Sequence, residues 1–143
     1  MIVVDTNVIS YFFINGDYTE LAEQLLKQDN DWHAPLLWKS EFRNVMTSYM
    51  AFKSMSLEKA LRLAAKAESQ MMGREHSVSS ESVLRFASSS KCSAYDCEFV
   101  ALAQELSVPL VTTDDDLLRK FPKMAIHLKD FVQPETNDAK SSE

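Results

Sequence analysis

Short apolar runs alternate along this chain with longer stretches in which apolar residues recur every three or four positions. The first run, Ile2-Val3-Val4, is β-branched, uncharged and stopped by Asp5, the pattern of a short strand buried on both faces. Four further segments read as strands: Trp32 to Pro35, Glu75 to Val78, Leu110 to Thr112 and Met124 to Leu128. Helical spacing predicts a helix opening at Asp5 or Thr6 and running through Phe13, and others over Tyr18 to Lys27, Leu37 to Phe52, Leu57 to Met72 and Ser79 to Ser88. Ser93 caps a further helix that ends at Leu106, Ser56 caps the one starting at Leu57, and Asp115 to Lys120 reads as a helical turn. Strands that alternate with one or two helices predict an α/β fold with a parallel sheet covered on both faces.

At 143 residues the chain makes one domain large enough to bury a core without staples. The expected boundary lies at residue 132, because Gln133 to Glu143 is polar, carries no large apolar group and is expected to be disordered. With 45% apolar and 25% charged residues the composition is that of an ordinary soluble domain. No apolar run approaches the ~20 residues that cross a bilayer, and the N-terminus lacks the basic and small-residue features of an export signal. A cytoplasmic location is therefore expected. Only 2 glycines are present, which excludes the glycine-rich loops that cradle phosphates. Cys92 and Cys97 are read as reduced thiols, and His33, His76 and His127 are scattered along the chain, so no zinc site is expected. The net charge of −6 argues against loose binding of nucleic acid through its phosphates.

Four carboxylates change that picture. Asp5 and Asp114 each follow a predicted strand, and in open parallel sheets ligands bind beyond the carboxyl ends of strands. At ~100° per residue, with Asp96 at 0°, Val100 falls near 40° and Ala103 near 340°, while Glu98 and Glu105 lie on the opposite side. The same construction puts Glu41 between Leu37 and Phe52, close to Val45. Both acids thus face inward although their helices have polar faces to hold them. Each residue has an ordinary reading as a cap, a first-turn acid, an ion-pair partner or a solvated turn. Four such residues together, with oxygen donors and few histidines or cysteines, point to a hard cation such as Mg²⁺ or Mn²⁺ and to metal-assisted phosphodiester hydrolysis. Asn7 is placed to orient a water or a metal ligand, and Thr112 or Thr113 to hydrogen-bond Asp5 or a phosphate.

Four segments carry a resemblance. They are Val3-Val4-Asp5-Thr6-Asn7-Val8, Ala34-Pro35-Leu36-Leu37-Trp38-Lys39-Ser40-Glu41, Ser93-Ala94-Tyr95-Asp96-Cys97-Glu98-Phe99-Val100-Ala101-Leu102-Ala103 and Pro109-Leu110-Val111-Thr112-Thr113-Asp114. In order and spacing they resemble PIN domains, in particular the VapC-type toxin ribonucleases of toxin–antitoxin modules. The resemblance implies a three-layer fold with a central parallel sheet of about five short strands flanked by helices. It also implies a Mg²⁺- or Mn²⁺-dependent endoribonuclease with RNA as substrate, a cognate antitoxin protein as partner, and a homodimer. Asp5, Glu41, Asp96 and Asp114 match the family's acidic quartet, with Asn7, Thr112 and Asp116 as supporting positions. The triple aspartate 114–116 is more acidic than the usual segment, and Cys97 stands where a small residue is common. Two rival readings are an inactive PIN-like module that only binds RNA or protein, and a haloacid-dehalogenase-like phosphatase. The second normally needs an acid where this chain has Asn7.

Overall fold

Ile2, Val3 and Val4 form strand β1 (Ile2–Val4) and are wholly buried, as expected of a strand with a sheet neighbour on each side and helices on both faces. In the computed structural model, which describes residues 1–132, β1 is the middle strand of a five-stranded sheet in the order β3-β2-β1-β4-β5. The other strands are β2 (Trp32–Pro35), β3 (Glu75–His76), β4 (Leu110–Thr112) and β5 (Ala125–His127), and every pairing is parallel. The expected tail, 133–143, lies outside the described residues.

Among the described residues the helices are α1 (Thr6–Phe13), α2 (Thr19–Gln28), α3 (Leu37–Phe52), α4 (Leu57–Met71), α5 (Ser80–Ser90), α6 (Ala94–Leu106), α7 (Asp115–Lys120) and α8 (Leu128–Phe131). Ser56, Ser79 and Ser93 cap α4, α5 and α6 by accepting from the backbone N–H three residues on. The last short helix was not foreseen; it starts where His127 Nδ1 accepts from the Lys129 N–H at 2.9 Å. The strand expected over 75–78 keeps only Glu75 and His76, because it is an edge strand that pairs on one side only.

The long helix α3 is phased differently from the expectation. Its core stripe is Trp38, Phe42 and Met46, all buried, whereas Phe52 is 81% exposed. The stripe Leu37–Glu41–Val45 lies beside that core face and lines a cleft. Helix α6 is buried on more than one side: Val100 and Leu102 join the main core, while Cys97 and Ala101 pack with Val83 of α5 in a satellite cluster.

Scattered in sequence, two histidines meet in space. His33 is buried on β2; its Nδ1 lies 2.7 Å from His76 Nε2 on β3, and its Nε2 lies 2.8 Å from Asp31 Oδ1. Arg74 Nε donates to the same Asp31 oxygen at 3.1 Å. A chain of this kind needs one imidazole nitrogen of the pair to remain an acceptor, so full protonation of both rings would break it. Burial and the neighbouring His33 hold His76 below the usual histidine value, against an opposing pull from Glu105. Since the folded value is depressed, the unfolded chain takes up the proton first, and stability falls as pH drops below ~6.5. Chemical denaturation between pH 7.5 and 5 is expected to show this loss in the wild type and a shallower loss in His76→Gln. Equal slopes would remove the histidine pair from the account.

Candidate active-site cleft

The strand order reverses beside β1. From β1 the chain moves to β2 and β3 on one side, then returns to lay β4 on the other. Val4 pairs with Val111, so Asp5 and Asp114 leave neighbouring strands at the same edge of the sheet. At this edge opens a cleft of about 420 Å³, whose lining includes Asp5, Glu41, Asp96 and Asp114 together.

Asp5 is nearly buried and holds two jobs. One oxygen accepts from the Val8 N–H at 3.0 Å and caps α1; the other accepts from the Thr112 hydroxyl. The ordinary reading of Asp5 as a helix cap is therefore correct, and it coexists with a place in the cleft. Burial pushes the Asp5 carboxyl up from 3.8 to about 6, with Thr112 and Val8 pulling it down and the charges of Asp114 and Glu41 pushing it further up. Thr112 is fully buried and does not line the cleft. Its oxygen also accepts from the Asp114 N–H at 3.0 Å, so one hydroxyl ties the ends of β1 and β4 together.

Asp114 likewise caps a helix, accepting from the Leu117 N–H at 3.0 Å. Glu41 reaches the cleft from α3, where its Oε1 accepts from the Thr6 hydroxyl at 2.7 Å. Its carboxyl is raised by burial and by Asp96 and Glu98, against the Thr6 hydrogen bond. Asp96 stands in the first turn of α6, half-buried, and is raised by burial and then by Asp114, with Ser93 opposing and Asp116 adding. Thus the carboxyls of Asp5, Glu41 and Asp96 are all disfavoured as anions, and each feels at least one of its acidic neighbours.

Of the supporting residues, Asn7 is exposed and lines the cleft. Asp116 does not line it: its Oδ1 is paired with Arg119 at 2.5 Å on the surface, and only its charge reaches Asp96. Several lining residues were not singled out from sequence, among them Thr6, Ser40, Asn44, Tyr95 and Phe99. Ser40 and Asn44 are exposed polar residues one turn apart on α3, a pattern that any solvated helix face shares.

The donor set suits a hard cation. It offers carboxylate and amide or hydroxyl oxygens, and no lining residue is Lys, Arg, His or Cys. The elevated carboxyls are those a bound cation would relieve. Among the described residues, however, no three His, Cys, Asp or Glu side chains form a ready-made ligand cluster.

Comparison with known proteins follows the same lines. The family model of the PIN domain matches residues 2–124. The fold is similar to that of PAE2754 from Pyrobaculum aerophilum, with a TM-score of 0.68 and 21% identity over 92% of each chain. It is also similar to FitAcB from Neisseria gonorrhoeae, with a TM-score of 0.72 and 19% identity over 90% of this chain and 99% of that one. A toxin–antitoxin complex from Klebsiella pneumoniae has a chain matching at a TM-score of 0.67 and 18% identity, over 90% of this chain and 98% of that one. A comparison with curated proteins gave no match.

Proposed function

The chain belongs to the PIN domain family, and from this premise we propose that it is a metal-dependent endoribonuclease, the toxin of a toxin–antitoxin pair. The observation that carries the reading is the convergence of Asp5, Glu41, Asp96 and Asp114 on one cleft at the switch point of the sheet. Those four side chains would hold Mg²⁺ or Mn²⁺, directly or through water. Such an ion, when bound, withdraws charge from a phosphoryl oxygen and lowers the pKa of an attacking water.

The remaining chemistry is the protein's own. Thr112 and the Val8 N–H fix both oxygens of Asp5, and Thr6 fixes Glu41, so these carboxylates are held in place before substrate arrives. One carboxylate of the cleft, Asp96 or Asp114, would take the proton of the attacking water. Attack by water rather than by the ribose hydroxyl leaves a 5′-phosphate and a 3′-hydroxyl. Asn7, at the cleft wall, offers an uncharged amide to a phosphate or a water.

The family and the Klebsiella pneumoniae toxin–antitoxin complex support a protein antitoxin as partner. We also propose that the chain forms a homodimer. Phe12 and Phe13 are engaged within the chain against Trp32 and Phe42, but Leu57 and Leu61 on one face of α4 are each 62% exposed, and Phe52 lies just before them in sequence. Burying these residues against a second copy would give such a dimer its contact. Light scattering at micromolar concentration should show twice the chain mass, and Leu61→Glu should shift it toward monomer. A wild type that scatters as monomer ends the dimer reading.

The function itself is tested by incubating the purified protein with RNA in Mg²⁺, in Mn²⁺ and in excess chelator. Cleavage only with metal, yielding 5′-phosphate ends, is expected. Among the described residues no helix is long and apolar enough to cross a membrane.

A further inference from the structure

The cleft poses a problem for a polyanionic substrate. None of its lining residues is Lys or Arg, three of its four acids are raised by burial, and the whole chain carries a net charge of −6. Ion pairs from the cleft wall to phosphate, the usual source of affinity for nucleic acid, are not available there. Beyond what a bound cation would contribute at the scissile phosphate, binding energy has to come from uncharged contacts to the nucleotide.

One residue is placed to supply them. Tyr95 lines the cleft, precedes Asp96 in the chain and is 63% exposed. The other tyrosines are used within the fold: Tyr11 and Tyr18 stack with centroids 4.8 Å apart, Tyr11 bonds Thr113 at 2.9 Å, and Tyr49 packs against the core. Tyr95 belongs to no core cluster and, among the described residues, its side chain has no ring partner and no hydrogen bond. Its backbone is nevertheless fixed, because the Ser93 hydroxyl caps α6 by accepting from the Asp96 N–H at 3.0 Å. An exposed aromatic ring carried on a fixed backbone beside a carboxylate site presents a flat face that any nucleobase can cover.

We propose that Tyr95 is a substrate-positioning residue: its ring stacks on an unpaired base adjacent to the scissile phosphate and supplies affinity that the acidic cleft cannot. The assignment rests on the ribonuclease reading and adds to it the source of substrate binding. Stacking needs the ring and not the hydroxyl, so Tyr95→Phe should cleave within about twofold of wild type. Tyr95→Ala should raise KM for a short single-stranded RNA roughly 5- to 150-fold, the size of one base–aromatic stack, with a smaller change in kcat.

The decisive experiment pairs these variants with RNA strands in which each nucleotide flanking the cut is made abasic in turn. At one position the wild type should lose about as much KM as Tyr95→Ala does on the intact strand. Tyr95→Ala should lose little more there, since the two changes remove the same contact. If Tyr95→Ala cleaves like wild type, or is slowed equally on intact and abasic strands, the inference is overturned. If the wild type cuts no RNA, the ribonuclease reading has failed, and anisotropy of a labelled strand in Ca²⁺ buffer decides this one separately. Affinity that falls in Tyr95→Ala upholds the stacking platform; affinity indifferent to Tyr95, or none, refutes it.

Discussion

Asp5→Asn is expected to make the protein inactive and more stable at once. At pH 7.5 in chelator its melting temperature should rise, while RNA cleavage in Mg²⁺ falls at least ~100-fold. Asp5 is nearly buried, and its carboxyl is raised from 3.8 to about 6. For a group with a raised folded value, the penalty begins above the unfolded value, near pH 4, and is complete above the folded one, near pH 6. Keeping Asp5 ionised at neutral pH therefore costs about 3 kcal/mol. Asparagine removes that cost and can still accept from the Val8 N–H through its carbonyl oxygen. Its amide cannot accept from Thr112, so the Thr112 hydroxyl must reorient and lose an acceptor, at roughly 1–2 kcal/mol. The net gain is roughly 1–2 kcal/mol, or roughly 3–8 °C in melting temperature. Differential scanning fluorimetry with and without Mg²⁺ checks it: the ion should stabilise the wild type by more than it stabilises the variant. A variant that melts lower than wild type in chelator would mean that Asp5 is held for its hydrogen bonds rather than strained by its charge.

Trp38→Ala is expected to be the most damaging single truncation. Trp38 is fully buried on the core stripe of α3, packs edge-on against Phe42 with centroids 5.8 Å apart, and donates its Nε1–H to Glu75 at 2.7 Å. The substitution removes a large core side chain, at roughly 3–5 kcal/mol, and deprives Glu75 of its donor, leaving it only Lys39 at 3.8 Å. Because α3 also carries Glu41, cleavage should drop with stability even at temperatures where the variant remains folded. Urea denaturation should place its midpoint far below that of the wild type; a midpoint within 1 kcal/mol of wild type, converted through the usual slope, contradicts the packing described for α3.

What could be read from the sequence was the part written in short-range chemistry. The strands ending at Asp5 and Asp114 are buried runs closed by an acid, and the serines at 56 and 93 sit where caps belong. Those features place the ends of β1 and β4 without knowledge of the rest of the fold. The core face of α3 was misphased because Leu37, Trp38, Phe42, Val45, Met46 and Phe52 spread around too much of the helix for one apolar arc to be singled out. The tertiary contacts choose Trp38, Phe42 and Met46, and leave Phe52 outside. The His33–His76 pair needed the register of β2 against β3, which no local pattern encodes. Thr6 as the partner of Glu41, and Ser40, Asn44 and Tyr95 as cleft wall, were hidden for a related reason. Polar and aromatic residues on an exposed helix face look alike whether they meet water or a ligand, until a second element closes over them.

The central claim is that the carboxylates of this cleft cut RNA with a bound cation, and the cleavage rate of one defined oligoribonucleotide tests it most directly. Wild type and Asp96→Asn should be measured side by side in Mg²⁺ and in excess chelator, with circular dichroism to show that both are folded. The account predicts metal-dependent cleavage by the wild type and at least ~100-fold slower cleavage by Asp96→Asn. Undiminished cleavage by folded Asp96→Asn, or wild-type cleavage that persists in chelator, would contradict it.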